Sequence, residues 1–169
     1  TEERALLEVH IEGQPLPLGE FPFALNEVVI HKRDTASMVV VDVHRGDNFV
    51  NTYWADGLLV STPTGSTAYS LSAGGPIVHP SADVAIVTPV APHNLNDRPL
   101  VVPLDQEITL MADGRDAQFL LSLDSRSFPL EPKQEVRIRR AGFSITLINL
   151  EHQNFFSTVR QKMHWGLDP

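Results

Sequence analysis

The chain has 169 residues, with 13 Lys and Arg against 21 Asp and Glu, for a formal net charge of −8. That length fits one domain, or two very small ones, and it can bury roughly two-thirds of its unfolded surface. Apolar residues make up 42% and cysteine is absent, which excludes a disulfide framework, a thiol nucleophile and a thiolate metal site, while the acidic balance argues against partners such as nucleic acid or anionic lipid.

Period-two apolar alternation recurs along most of the chain, and long helical periodicity is scarce. Residues 5–11 read as a strand, followed by a Pro/Gly turn. Residues 28–31, 38–44 and 49–54 read as short strands. Between the last two, Arg45-Gly46-Asp47-Asn48 has the composition of a hairpin turn. Strand patterns follow at 57–61, 84–90, 100–102, 107–111, 118–123, 135–139 and 144–150. They are rich in Val, Ile, Leu and Thr and are bounded by Pro, Gly, Asp or Asn. Two segments break the pattern. Residues 67–73 form a short helix candidate, with Ser66 or Thr67 as cap and Gly74-Gly75 as stop. Residues 155–162 are a second, partly helical stretch. The expectation is a mostly β fold in a single domain. No apolar run approaches the roughly 18 residues that cross a membrane.

The most informative stretch is residues 56–76, DGLLVSTPTGSTAYSLSAGGP. A strand runs into a loop of small hydroxyl residues around Gly65, and the loop feeds a short helix. Gly65 lets a ligand approach the backbone. The helix start offers unpaired N–H groups. Ser61, Thr62, Thr64, Ser66 and Thr67 supply hydroxyls that donate and accept. Such a surface suits a ribose, a phosphate or a purine edge. It is neither a Walker loop nor a Gly-x-Ser-x-Gly elbow. The plainer reading is a capped helix after a strand.

Asn26-Glu27 stands just ahead of a strand, and an amide beside a carboxylate can clamp a vicinal diol. It also reads as a solvated strand start. His93 follows two prolines that fix the backbone. It reads as a general base or as a loop residue bonded to a carbonyl. Asp113 and Asp116 read mostly as turn residues, and Asp124 ends an apolar run. The seven histidines show no His-x-His or His-Glu-x-x-His spacing, so no protein metal site is expected.

Residues 56–78 closely resemble the signature of ATP-dependent NAD kinases. Asn26-Glu27 within ALNEVVI is similar to that family's Asn-Glu motif. TPVAPHNLNDRPLVVP (88–103) and FFSTVRQKMHWGLD (155–168) resemble its later segments. Four motifs in the family's order cover residues 23–168. The resemblance implies a multi-stranded, sandwich-like C-terminal domain with one or two short helices, which binds NAD. It implies transfer of the γ-phosphate of ATP, with Mg²⁺, to the adenosine ribose 2′-hydroxyl, giving NADP, in a cytoplasmic homodimer or homotetramer. By the same resemblance Asn26 and Glu27 hold ribose hydroxyls. Thr64, Thr67, Ala68 and Tyr69 line the adenine pocket. Asp56 reaches a nucleotide bound largely by a neighbouring subunit, and Asp124 sits near that interface. Where relatives continue with Gly or His after that Asp, this chain has Ser125.

The family's Gly-Gly-Asp-Gly motif, whose Asp is the base, has no match here. The expectation is therefore a C-terminal piece of a longer two-domain kinase, inactive alone, with no catalytic residue of its own. Alternatives are a non-catalytic nucleotide-sensing module, a related kinase acting on a lipid or sugar, and a β-rich assembly domain without a ligand.

Overall fold

The inward-facing residues of the alternating segments meet in one core shared by two sheets. The computed structural model describes residues 1–13, 21–33, 38–114, 118–148 and 154–165. Its strands are β1 (Glu2–Ile11), β2 (Phe23–Ala24), β3 (Glu27–Lys32), β4 (Val39–Arg45), β5 (Asn48–Ala55) and β6 (Gly57–Ser61), then β7 (Val84–Val90), β8 (Leu100–Pro103), β9 (Ile108–Asp113), β10 (Phe119–Leu123), β11 (Arg126–Leu130) and β12 (Glu135–Leu147). A 3-10 turn at Gly65–Thr67 leads into α1 (Tyr69–Ser72), and α2 (Phe155–Met163) lies near the end of the chain. The first sheet runs β2-β1-β12-β9-β4-β5 and the second β11-β10-β3-β6-β7-β8. All strand pairs are antiparallel. The mostly β expectation holds.

Val28, Ile30, Leu58 and Val60 of the second sheet share one buried cluster with Val9, Val41, Leu110 and Ile138 of the first. Each such side chain stabilises the fold by roughly 1.5–3 kcal/mol. The second sheet is buried on its outer face as well. Leu59, Ser61, Ile86 and Thr88 are fully covered, so every residue of β6 is buried. The α1 segment lies over this face, with Ser70 Oγ 3.2 Å from Thr88 Oγ1.

Several boundaries differ from the sequence reading, each for a local reason. The strands expected at 135–139 and 144–150 are one strand, β12; residues 149 and 150 lie outside the described residues. Ala141-Gly142 reads as a break, yet β1 pairs on either side of it across a register shift between Ala5 and Leu7. A bulge of this kind absorbs weak strand formers without ending the ladder. The sequence reading lacks β11, which contains Pro129, and the two-residue β2. Because β11 is an edge strand, the absent proline N–H costs no ladder bond there. Pro89 sits inside β7, opposite Leu58, where β8 pairs only with residues 84–87.

The helix expected at 67–73 is instead a 3-10 turn and a single α-turn, and neither start has a side-chain cap. Gly74, at φ +87°, does end it. The second helix is capped by Asn154, whose side chain accepts from Ser157 N while Ser157 Oγ accepts from Asn154 N.

Candidate functional site

Alternation along β3 puts Glu27, Val29 and His31 on the outer face of the second sheet. With Asp56, Tyr69, Ser122 and Asp124 they line a groove of about 400 Å³. Glu27 is 8% exposed. It lies directly opposite Ser61 in the β3–β6 ladder. Glu27 Oε2 and Ser61 Oγ are both buried with no hydrogen-bond partner in the chain. An unsatisfied buried polar atom costs roughly 1–3 kcal/mol; of the two, Glu27 lines the groove, so its unpartnered oxygen marks the groove floor as a place for an outside hydroxyl or water. Burial pushes the Glu27 carboxyl up to about 6, the nearby Asp124 carboxylate adds to the rise, and a hydrogen bond from the Tyr69 backbone N–H works against it.

Asp124 sits in the two-residue turn between β10 and β11, at φ +50°. Its carboxylate binds the backbone that precedes Glu27. Oδ1 accepts from Asn26 N at 2.8 Å and Glu27 N at 3.2 Å, and Oδ2 accepts from Leu25 N at 2.9 Å. Three N–H bonds on one carboxylate explain why an aspartate occupies a left-handed backbone conformation here.

The hydroxyl-rich loop is organised differently from the sequence expectation. Thr62 Oγ1 donates to Leu25 O at 2.6 Å and accepts from Gly65 N at 3.0 Å. Ser66 Oγ donates to Pro63 O at 2.6 Å and accepts from Val78 N at 3.0 Å. Ser61, Thr62 and Ser66 are fully buried, because closing this loop on the sheet requires its backbone groups to be satisfied from inside. Thr62 and Ser66 build the loop by these bonds, and Ser61, at the end of β6, is covered as well. Gly65 also serves the protein itself. A Cβ there would lie 2.1 Å from Asn26 O, so the close approach expected for a ligand is taken by the Asn26 carbonyl, which accepts from Thr62 N at 2.9 Å.

The site residues expected from the sequence divide between two cavities. Glu27, Asp56, Tyr69 and Asp124 line the groove. Thr64 and Thr67 line a smaller cavity of about 190 Å³, whose other wall includes Phe155, Thr158 and Lys162 of α2. Asn26 and Ala68, both half-buried, line neither of these two cavities. Asn26 is held by its backbone, and Ala68 N donates to Gly65 O at 2.9 Å at the junction of the two short helical turns. Asp56 pairs with Lys32 Nζ at 2.6 Å. His93 is an exposed loop residue whose backbone N–H donates to Trp54 O. Asp113, expected in a turn, is instead the last residue of β9, paired with Val40; it accepts from Gly114 N and faces Lys133, and Asp116 lies outside the described residues.

Sequence reasoning missed His31, whose Nε2 lies 3.1 Å from Ser122 Oγ, itself 2.7 Å from Ser127 Oγ. Positions 27, 29 and 31 share a face by alternation alone, and that signal was available. It also missed Arg126, which no local pattern reveals. Among the described residues, no cluster of three or more His, Cys, Asp or Glu could hold a metal ion, and no helix is long and apolar enough to cross a membrane.

Two packed antiparallel sheets, with a buried carboxylate and a polar loop on one outer face, define a mostly β domain of the two-sheet class. The chain belongs to the ATP-NAD kinase C-terminal domain family, whose model matches residues 25–150. It is 46% identical to a NAD kinase of Cytophaga hutchinsonii over 98% of this chain and 56% of that protein. It is 44% identical to a NAD kinase of Bacteroides fragilis over 99% of this chain and 57% of that protein. The chain thus spans little more than half the length of these relatives. Among solved structures, yeast NADH kinase complexed with NADH superposes with a TM-score of 0.88 at 26% identity, covering 99% of this chain and 50% of that one. A NAD kinase from Archaeoglobus fulgidus in complex with ATP gives 0.78 at 27%, covering 94% and 60%.

Proposed function

We propose that this chain is the NAD-binding and oligomerising domain of a NAD kinase. The observation that carries the reading is Glu27: a buried carboxylate with an unpartnered oxygen at the floor of a groove. A ribose diol placed there can donate a hydroxyl to the Glu27 oxygen that nothing in the chain satisfies. Asn26 stands beside it, fixed through its backbone by Asp124 and Thr62. Tyr69 offers a ring, 43% exposed, at the groove edge, against which a flat base can stack.

In this reading the adenosine ribose 2′-oxygen attacks the γ-phosphorus of ATP. The new bond is O2′–P, the bond broken is that between the γ-phosphorus and the β,γ-bridging oxygen, and ADP leaves. The hydroxyl proton passes to a base contributed from outside these 169 residues. What this chain supplies is positioning, a large share of phosphoryl-transfer catalysis. Mg²⁺ would accompany the ATP phosphates and neutralise their charge. Asp56, on the exposed side of the groove, serves a nucleotide held with a second subunit, in a homodimer or homotetramer. A cysteine-free chain fits a reducing cytoplasm, where this reading places the protein.

The test is an assay of the full-length protein with NAD, ATP and Mg²⁺, following NADP formation. Production of NADP that falls sharply in Glu27→Ala supports the reading. Saturable NAD binding without turnover favours a sensing module, and turnover of a lipid or sugar but not NAD favours the related kinase.

A further inference from the structure

We propose that Arg126 is a positioning residue for the acceptor site, acting on Asn26 and Glu27 through the backbone that carries them. The proposal rests on the NAD-binding reading of that loop. Residues 21–27 cross from one sheet to the other. Phe23 and Ala24 pair with β1 in the first sheet, and Glu27 opens β3 in the second. The β10–β11 hairpin grips this crossing with two oppositely charged side chains. Asp124 takes the amides of residues 25, 26 and 27. Arg126 takes carbonyls: its Nη1 donates to Phe21 O at 2.6 Å and its Nη2 to Phe23 O. The carbonyl between them, Pro22 O, accepts from Val9 N at 2.8 Å. The guanidinium also lies over the Phe21 ring, 5.1 Å from its centroid, and Phe21, Phe23 and Phe143 form an edge-to-face row.

The fork is what matters. A guanidinium presents several donors in one rigid plane and can hold two carbonyls two residues apart, whereas an ammonium is a single point. Arg126 fixes the half of the crossing nearer the first sheet, and Asp124 fixes the half nearer the groove. Without the fork, the crossing loses its hold at Phe21 and at Phe23, the latter three residues before Asn26, and the ribose acceptors shift relative to Tyr69. Shifts of about 1 Å in positioning groups cost up to about a hundredfold in rate.

The experiment uses the full-length protein with Arg126→Gln and Arg126→Lys. Arg126→Gln is expected to raise KM for NAD roughly tenfold, with KM for ATP within about twofold. Amide hydrogen exchange should quicken at residues 25–27 and stay unchanged at Leu58–Val60, since local opening reports local stability. Arg126→Lys, which keeps the charge and the stem over Phe21, is expected to show about half of the effect on a logarithmic scale. Wild-type KM for NAD together with wild-type exchange at 25–27 in folded Arg126→Gln overturns the proposal. So does an equal rise in both KM values with faster exchange at Leu58–Val60, which marks general destabilisation. If Arg126→Gln does not fold, Arg126→Lys is read alone by the same criteria. If the wild-type protein forms no NADP, the kinase reading has failed; the exchange at 25–27 then still decides whether Arg126 holds the crossing.

Discussion

The carbonyl oxygen of Asn26 occupies the space that a side chain on Gly65 would need, 2.1 Å from where its Cβ would stand. The diol-binding candidate and the hydroxyl loop, far apart in sequence, are thereby locked backbone to backbone. Two further hydrogen bonds, from Thr62 N to Asn26 O and from Thr62 Oγ1 to Leu25 O, close the lock.

Gly65→Ala should therefore disturb both halves of the site at once. The clash is with backbone and no flexible side chain can swing away, so a loss of about 1–3 kcal/mol in stability is expected. NAD binding should weaken beyond what the residual folded fraction explains. Denaturant unfolding and calorimetric titration of the same sample check both. A fully stable variant with unchanged affinity would show that the loop has room the geometry denies.

Glu27 makes stability depend on pH in a definite direction. Its folded value near 6 lies above the ordinary glutamate value of about 4.3. Between the two, the folded protein keeps a proton that the unfolded chain has lost, so stability falls as pH rises through this window and levels off above it. The loss is about 2 kcal/mol. Glu27→Gln, neutral throughout, lacks that fall. The stability gap between variant and wild type should widen by about 2 kcal/mol from about pH 4 to about pH 7, while NAD affinity drops. Parallel stability curves would remove Glu27 as a buried charge.

Asp124 holds three amides and also raises its neighbour's proton affinity. Asp124→Ala should cost about 1–3 kcal/mol, because three N–H groups lose their acceptor. Asp124→Asn keeps one oxygen and removes the charge. It should bring Glu27 back toward the ordinary carboxylate range and shrink the pH effect described above. Titration of Glu27 by NMR in the two proteins compares them directly.

The Lys32–Asp56 ion pair should matter little for folding. Its side chains are 21% and 41% exposed, and pairs of this kind contribute at most about 1 kcal/mol. Lys32→Ala and Asp56→Ala should both unfold close to the wild-type midpoint. Asp56→Ala in the full-length protein should nonetheless raise KM for NAD, which steady-state kinetics would reveal. A large stability loss with normal KM would reassign Asp56 to structure.

By itself the sequence determined the fold class and the order of most strands. Apolar strand patterning is a local property: the runs at 28–30 and 58–60 mark strands, but being apolar throughout they do not say which face turns to the shared core. It also brought Asn26, Glu27 and residues 56–76 to attention through residue type and through family resemblance. Tertiary structure decided what those groups do. Ser61, Thr62 and Ser66 share a composition with Thr64 and Thr67, yet burial turns the first three inward. Gly65 owes its identity to the Asn26 carbonyl, from the bend just before β3. Asp124 and Arg126 hold a segment about a hundred residues away in the chain. Such contacts depend on how two sheets are laid against each other, and nothing within a local stretch of sequence encodes them.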